Sequence, residues 1–198
     1  MNIVGFNGSP NRQGNTAFLL ETALDAACQR GAKVDLVQVG SLIDQIDDPF
    51  CTACQSPCLE IQCGDENLRW MLGLLERAHG IILGSPVYFG TVSAQLKAFW
   101  DKTRSLRRKQ ALLNRPGGTI SVAGARFGGQ ESALRAMQDM MMIHGMSIIN
   151  DGSKSSQISG HLGVCAQKPA REDEYAIKTA KIMGERIVES ASAKCRSN

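Results

Sequence analysis

The sequence predicts an α/β domain in which a five-stranded parallel sheet, in the order 2-1-3-4-5, is covered by helices on both faces. Five short apolar runs alternate with amphipathic helical patterns along the 198 residues. A chain of this length builds one core, and strict alternation specifies parallel strands joined by right-handed crossovers. We therefore expect a single domain over residues 1–198, with a cysteine-rich loop inserted at about 45–65.

The predicted strands are short apolar runs that suit a sheet buried on both faces. They are Ile3–Phe6, Val34–Val39, Gly80–Leu83, Gly118–Val122 and Met146–Ile149. The stretch Asn150–Lys168 is rich in glycine and serine, and we expect an irregular surface segment there. In sheets of this order, ligands bind outside the carboxyl ends of the strands, at the switch point between strands 1 and 3.

The predicted helices have apolar residues at helical spacing. The first runs from Ala17 to Arg30 and is expected to end at Gly31, and Asp65 is expected to cap the second. The apolar positions of the second to fifth helices are Leu68, Leu72 and Leu75, then Val92, Leu96, Phe99 and Trp100, then Leu134, Met137 and Met141, and finally Ala176, Ala180, Met183 and Ile187.

The loop Gly8–Thr16 joins the first strand to the first helix and has the composition of a phosphate site. Hydroxyls at Ser9 and Thr16 accompany the cation Arg12, and no acidic residue precedes Glu21 to answer the helix dipole. An ordinary polar turn is the alternative. The loop has no Gly-Lys-Ser/Thr ending, no G-x-G-x-x-G pattern and no cysteine, which excludes the triphosphate, dinucleotide and thiol-phosphatase loops.

Two further loops follow predicted strands at the same edge of the sheet. The segment Gly84–Thr91 contains Tyr88 and Phe89, which can form the wall of a planar ligand or pack under the next helix. Closely spaced glycines in Gly124–Gly129 allow the backbone to approach a ligand, although an ordinary loop is possible. Together the three loops favour a phosphorylated planar ligand.

These motifs closely resemble the NADPH-dependent FMN reductase family of flavodoxin-like proteins. The resemblance rests on Gly8-Ser9-Pro10 with Gly14-Asn15-Thr16, on Gly84-Ser85-Pro86-Val87-Tyr88-Phe89-Gly90, and on Lys97 and Asp101, and it extends to about Ile149. It implies a flavodoxin-like three-layer sandwich that binds FMN. The residues it assigns are Ser9, Arg12, Gly14, Asn15 and Thr16 at the phosphate, Pro86, Val87, Tyr88, Phe89 and Gly90 at the isoalloxazine ring, and Gly124 at the other ring edge.

Four of the seven cysteines form a C-x2-C-x3-C-x4-C pattern at Cys51, Cys54, Cys58 and Cys63. Thiolates at short spacings can hold an iron–sulfur cluster, whereas structural zinc more often joins two separated C-x2-C pairs. Redox-sensitive thiols without a metal are the third interpretation. The pattern resembles the iron–sulfur flavoproteins, a branch of the same family with a [4Fe-4S] cluster beside FMN, in which the middle gap typically has two residues instead of three.

The expected function is that of an FMN reductase-like oxidoreductase that moves electrons between FMN and a [4Fe-4S] cluster. Hydride transfer is the chemistry of the flavin itself, so no catalytic side chain is expected. NAD(P)H or a ferredoxin is the expected partner, and the resemblance implies a homodimer or homotetramer. The alternatives are an NAD(P)H-dependent FMN or quinone reductase without a cluster and a non-catalytic electron carrier.

Charge and hydropathy limit the other partners. A net charge of +3 is too small and too dispersed to favour nucleic acid or an anionic membrane. It also counts mildly against the carrier, since flavodoxins in that role tend to be acidic. No run approaches the roughly 20 apolar residues that span a bilayer, and the chain begins with a strand pattern, so we expect a cytoplasmic protein.

Overall fold

The computed structural model describes residues 1–58, 63 and 65–195, and its centre is a parallel sheet. The strand order is β2-β1-β3-β4-β5, with β6 also paired to β4, so the predicted order is confirmed. The strands are β1 (Asn2–Asn7), β2 (Lys33–Val37), β3 (Gly80–Pro86), β4 (Pro116–Ala123), β5 (Ser147–Ile148) and β6 (Val164–Gln167).

The sixth strand corrects the expectation that Asn150–Lys168 is irregular throughout. β5 pairs only with the first two residues of β4, Pro116 and Gly117. β6 then pairs in parallel with β4 from Ile120 to Ala123, and it buries Val164 and Ala166 on alternate positions. Two short segments therefore fill the fifth position of the sheet.

Helices connect the strands much as predicted. Asp65 caps its helix by accepting a hydrogen bond from the Leu68 N–H at 2.9 Å, and Gly31 follows the first helix with a φ of +83°. Two short helices after β2 and before β4 were not predicted. The helices are α1 (Asn15–Gln29), α2 (Val39–Leu42), α3 (Glu66–Arg77), α4 (Ala94–Asp101), α5 (Arg104–Arg108), α6 (Gln130–Met142) and α7 (Glu174–Cys195).

The helices cover both faces of the sheet and give the three layers that the sequence predicts. On one face, Phe6 of β1 stacks on Phe99 of α4 with ring centroids 5.5 Å apart. On the other face, Ile3 and Ile82 lie in a second apolar cluster with residues of α1 and α7. Among the helices described, none is both long and apolar enough to cross a membrane.

Candidate functional site

The loop between β1 and α1 is fixed at its first glycine by the neighbouring strand. The Gly8 N–H donates to the Gly84 carbonyl at 2.8 Å, and the Ser93 hydroxyl donates to the Gly8 carbonyl at 2.6 Å. A Cβ on Gly8 would lie 2.6 Å from the Cβ of Leu96, so a side chain does not fit. The start of the loop is thereby held against β3 and α4.

The N-terminus of α1 has no side-chain cap. Gly14 stands at the N-cap position without a side-chain hydrogen bond, and the first turn carries no acidic residue. Ser9 is 6% exposed and Thr16 is 2% exposed, and the Thr16 hydroxyl makes no hydrogen bond to any described residue. Uncapped N–H groups, a positive dipole end and nearby hydroxyls together suit an anion.

Arg12 lies exposed on this loop and adds a full positive charge. Its Nε donates to the Ser41 hydroxyl at 2.8 Å, and that hydroxyl donates to the Gln38 carbonyl at 3.1 Å. No ion pair between described residues involves Arg12. The guanidinium is therefore anchored at one nitrogen, and the other two can bind a ligand.

Asn15 already has a structural contact. Its Oδ1 accepts a hydrogen bond from the Ala170 N–H at 2.8 Å, which ties the start of α1 to the segment after β6. The side-chain carbonyl of Asn15 is thus used within the protein, and only its Nδ2 can donate to a phosphate.

Two residues that support the loop were not predicted. Asn7 is fully buried at the end of β1, accepts from the Ser9 N–H at 3.0 Å and donates to the Gln38 side chain at 2.7 Å. Ser93 caps α4 by accepting from the Leu96 N–H at 3.2 Å. The available signals were a polar residue closing an apolar strand and a serine just before a helical pattern.

The loop after β3 ends in a tight turn that exposes an aromatic ring. The N–H and carbonyl groups of Tyr88 and Thr91 bond reciprocally at 3.0 and 3.1 Å. The two central residues, Phe89 and Gly90, have φ angles of 48° and 80°. Phe89 is fully exposed and does not pack under the next helix. A bulky residue with positive φ and an exposed ring is costly, and such positions cluster at functional sites.

The loop after β4 meets this turn. A Cβ on Gly129 would lie 3.2 Å from the Cα of Gly90, which leaves little room for a side chain. On the same loop Gly124 is exposed beside Lys168, and Phe127 is 93% exposed. Exposed aromatic rings from two neighbouring loops therefore lie at the carboxyl edge of the sheet, as a planar ligand requires.

The cysteine loop follows α2, and its four cysteines are free thiols. Burial raises the pKa of the Cys63 thiol, the Lys102 ammonium lowers it, and the Cys58, Cys54 and Cys51 thiols raise it. All three thiols thus lie within electrostatic range of Cys63. Within the described part of the chain, no three His, Cys, Asp or Glu side chains are arranged to hold a metal ion. Residues 59–62 and 64 of this loop lie outside the described residues.

The short helix that precedes the cysteine loop, α2, contacts the loop after β1. A Cβ on Gly40 of α2 would clash with the Ser9 carbonyl, so the two backbones are in direct contact there. The Arg12 bond to Ser41 crosses the same boundary. The donor set of four thiols is the one that iron–sulfur clusters use.

Comparison with known proteins identifies the family. Residues 1–159 match the family described as NADPH-dependent FMN reductase. The chain belongs to that family. It is an FMN-dependent oxidoreductase, and the predicted flavodoxin-like FMN fold is confirmed.

Relatives of this FMN reductase family member include iron–sulfur flavoproteins. One from Methanocaldococcus jannaschii is 35% identical, with 96% of each chain covered, and one from Methanosarcina thermophila is 36% identical, with 90% of this chain and 89% of the relative covered. The crystal structure of a flavodoxin, WrbA-like protein from Agrobacterium tumefaciens superposes with a TM-score of 0.64 at 19% identity, covering 97% of both chains.

Proposed function

We propose that the protein transfers electrons between FMN, bound at the carboxyl edge of the sheet, and a [4Fe-4S] cluster held by four cysteines. The observation that carries this proposal is the set of four free thiols on the loop that follows α2, the helix whose Gly40 contacts the anion-binding loop at Ser9. Two redox centres on one edge can exchange electrons without a mobile carrier. The proposed cluster ligands are Cys51, Cys54, Cys58 and Cys63.

We propose that the loop after β1 holds the FMN phosphate. The N–H groups at the start of α1 and the hydroxyls of Ser9 and Thr16 would donate to its oxygens, and Arg12 would neutralise its charge. Gly14 leaves the helix end open, and Asn15 would contribute its Nδ2. Ser9 and Thr16 are buried, which limits competition from water at their hydroxyls.

The isoalloxazine ring would lie against the loops after β3 and β4. Pro86, Val87 and Gly90 would line it, Tyr88 and Phe89 would stack on or beside it, and Gly124 would allow the backbone to approach the far edge. Bound FMN supplies the redox chemistry, and the protein orients the ring. No side chain is assigned an acid or base role.

NAD(P)H or a ferredoxin is the proposed electron donor. Steady-state oxidation of NADPH and NADH in the presence of free FMN or a quinone tests the pyridine nucleotides. Ready reduction by ferredoxin, with no turnover of either nucleotide, would identify the protein as a ferredoxin-linked carrier.

We further propose a homodimer or homotetramer. Phe89 and Phe127 are almost fully exposed in the single chain, and a second copy placed over this edge would cover them and the flavin together. Light scattering of the native protein tests the assembly against the 21.4 kDa chain mass.

The test of the cluster assignment is Cys54→Ala. We expect it to remove iron and inorganic sulfide while FMN stays bound, because Cys54 lies on the exposed cysteine loop, whereas the flavin contacts lie on other loops. Cys28→Ala is the matched control, since Cys28 is an exposed free thiol on α1, and it should keep both cofactors. Loss of FMN together with iron from Cys54→Ala would contradict the two separate assignments.

The rival function is an NAD(P)H-dependent FMN or quinone reductase whose cysteines hold zinc or nothing. Among the described residues, no three His, Cys, Asp or Glu side chains are arranged to hold a metal ion, which favours the form of this rival in which the cysteines hold nothing. Full flavin occupancy with zinc, or with no metal, in protein purified without oxygen would establish this rival.

A further inference from the structure

Lys168 follows β6 directly, and its side chain lies across the backbone of the loop after β4. Its N–H donates to the Ala123 carbonyl at 2.9 Å, next to the last residue pair of β4 and β6. A Cβ on Gly124 would lie 3.3 Å from the Cε and 3.8 Å from the Nζ of Lys168. The ammonium group is therefore beside Gly124, the residue proposed at the far edge of the flavin ring.

The segment that carries Lys168 also reaches the proposed phosphate site. Two residues later, the Ala170 N–H donates to the Oδ1 of Asn15 at 2.8 Å, at the start of α1. Hydrogen bonds thus hold residues 168–170 at two points, one in each of the two regions proposed to contact FMN. Lys168 itself is exposed, but its backbone position is set by the contacts on both sides.

The charge of Lys168 has no partner in the described part of the chain. No hydrogen bond or ion pair between described residues involves its ammonium group. Arg126 and Arg171, two cations on the same loops, each lie over an aromatic ring instead. The distances to the ring centroids are 5.5 Å from Arg126 to Phe127 and 4.4 Å from Arg171 to Phe18.

The carboxylates near Lys168 do not neutralise it directly. A cavity of about 950 Å³ beside Lys168 is also lined by Glu131, Glu172, Asp173 and Glu174. Both oxygens of Asp173 accept backbone N–H groups, those of Ala176 and Gln167, at 3.0 Å each. None of the four carboxylates forms an ion pair with Lys168 in the described residues, so the ammonium is available to a ligand at Gly124.

We propose that Lys168 stabilises the negative charge of reduced FMN and so makes the bound flavin easier to reduce. This inference rests on the proposed function, and it places the N1 edge of the ring at Gly124. Reduction brings two electrons from the donor and one proton to N5, which leaves one negative charge on the ring around N1. An ammonium beside N1 favours that state over the neutral oxidised ring. Lys168 exchanges no proton and forms no bond, so its effect is electrostatic.

The test compares variants of the whole protein, purified without oxygen with FMN bound. Lys168→Met removes the charge and keeps the length of the side chain, whereas Lys168→Arg keeps the charge. Lys33→Met is the matched control, because Lys33 is an exposed lysine at the start of β2, at the opposite edge of the sheet. FMN and iron are quantified first. The midpoint potential of FMN is then measured by dithionite titration with reference dyes, after subtraction of any cluster absorption.

We expect the FMN potential of Lys168→Met to become more negative by about 30 mV, which corresponds to roughly tenfold weaker binding of reduced FMN relative to oxidised FMN. Lys168→Arg should restore most of the shift, and Lys33→Met should match the wild type. A purely structural role would not predict this rescue by charge.

An unchanged FMN potential in Lys168→Met at full FMN occupancy would overturn this inference and leave the proposed function standing. An equal shift in Lys168→Met and Lys168→Arg would also overturn it, since charge would not be the cause. Wild-type protein that binds no FMN would overturn both proposals. If Lys168→Met fails to fold, Lys168→Gln replaces it. Loss of oxidised FMN from both neutral variants would contradict an effect specific to the reduced ring.

Discussion

Arg12 contributes the full positive charge of the proposed phosphate site, and one hydrogen bond to Ser41 fixes its position. We expect Arg12→Ala to weaken FMN binding by about 1.5–3 kcal/mol, which is roughly 10- to 150-fold in Kd, because a charge-assisted hydrogen bond is lost. The free energy of unfolding should change by less than about 0.5 kcal/mol, since the side chain is exposed. Fluorescence titration of the apoprotein with FMN measures the affinity.

Arg30→Ala is the control for that experiment. Arg30 lies after the last turn of α1 and forms an exposed ion pair with Glu185 at 3.1 Å, so the same charge is lost at the opposite end of the helix. Unchanged FMN affinity in Arg12→Ala, or equal weakening in both variants, would contradict the phosphate assignment.

His144 provides a pH-dependent contribution to stability that is separate from the flavin site. Thr103 uses its only hydroxyl proton in a 2.7 Å bond to the Trp100 carbonyl, so the 2.8 Å contact between Thr103 and His144 has Nε2–H as donor. The Nδ1 atom is buried and has no hydrogen-bond partner among the residues that the structure describes. Burial and then the charge of Arg107 lower the pKa of His144 to about 4.

Because the pKa of His144 is lower in the folded protein than in the unfolded chain, the unfolded chain binds a proton at this histidine more readily. The stabilising contribution of neutral His144 is therefore complete above pH 6.5, the ordinary pKa of histidine, and is lost as the pH falls towards 4. We expect about 2 kcal/mol of unfolding free energy to be lost between pH 7.5 and pH 5, on an order-of-magnitude basis. Urea unfolding of the wild type and His144→Gln across this range measures it, and equal pH slopes would refute the assignment.

Among the elements, the turn Tyr88–Thr91 is the one most directly tied to the proposed site of the flavin ring. Phe89 is fully exposed in the chain, so its burial adds nothing to folding. We expect Phe89→Ala to leave stability unchanged and to weaken FMN binding by about 0.5–1.5 kcal/mol, the worth of an aromatic pair. The same FMN titration and urea unfolding measure both quantities.

Met142→Ala is the matched control for the turn. Met142 is 53% exposed at the end of α6, and its truncation removes exposed apolar surface without touching the loops at the carboxyl edge. FMN affinity equal to that of the wild type in Phe89→Ala would place the ring elsewhere.

The local sequence pattern was sufficient to predict the central strands of the sheet, and it was not sufficient to predict β6. The strands that run through the centre of the sheet are apolar, and their order followed from the alternation with helices. β6 has only four residues in a segment rich in polar residues, and it pairs with β4 because β5 stops early. The sequence of this segment alone therefore could not predict β6, because the strand depends on its pairing with β4.

The candidate site also contains features that the local sequence predicts and features that depend on contacts between distant residues. The prediction of an anion at the start of the first helix used a missing acidic residue, which is a local feature, and the first turn of α1 carries no acidic residue. The contact of Asn15 with Ala170 joins residues that are far apart in the chain, so no local pattern could indicate it.

At the scale of the whole molecule, the fold brings the segments that follow β1 and β2 to one edge of the sheet. Parallel strands direct every following segment to that edge, and β1 and β2 are neighbours. The contact of Gly40 with Ser9 shows that α2, which precedes the cysteine loop, lies against the loop after β1. The central claim is that one chain carries both FMN and an iron–sulfur cluster.

The most direct test is to quantify FMN, iron and inorganic sulfide in one sample of the native protein purified without oxygen, and to record its visible spectrum. We expect about one FMN and about four iron and four sulfide per chain, with broad cluster absorption across the two flavin bands. Full FMN occupancy with neither iron nor sulfide, and a spectrum of flavin alone, would contradict the claim.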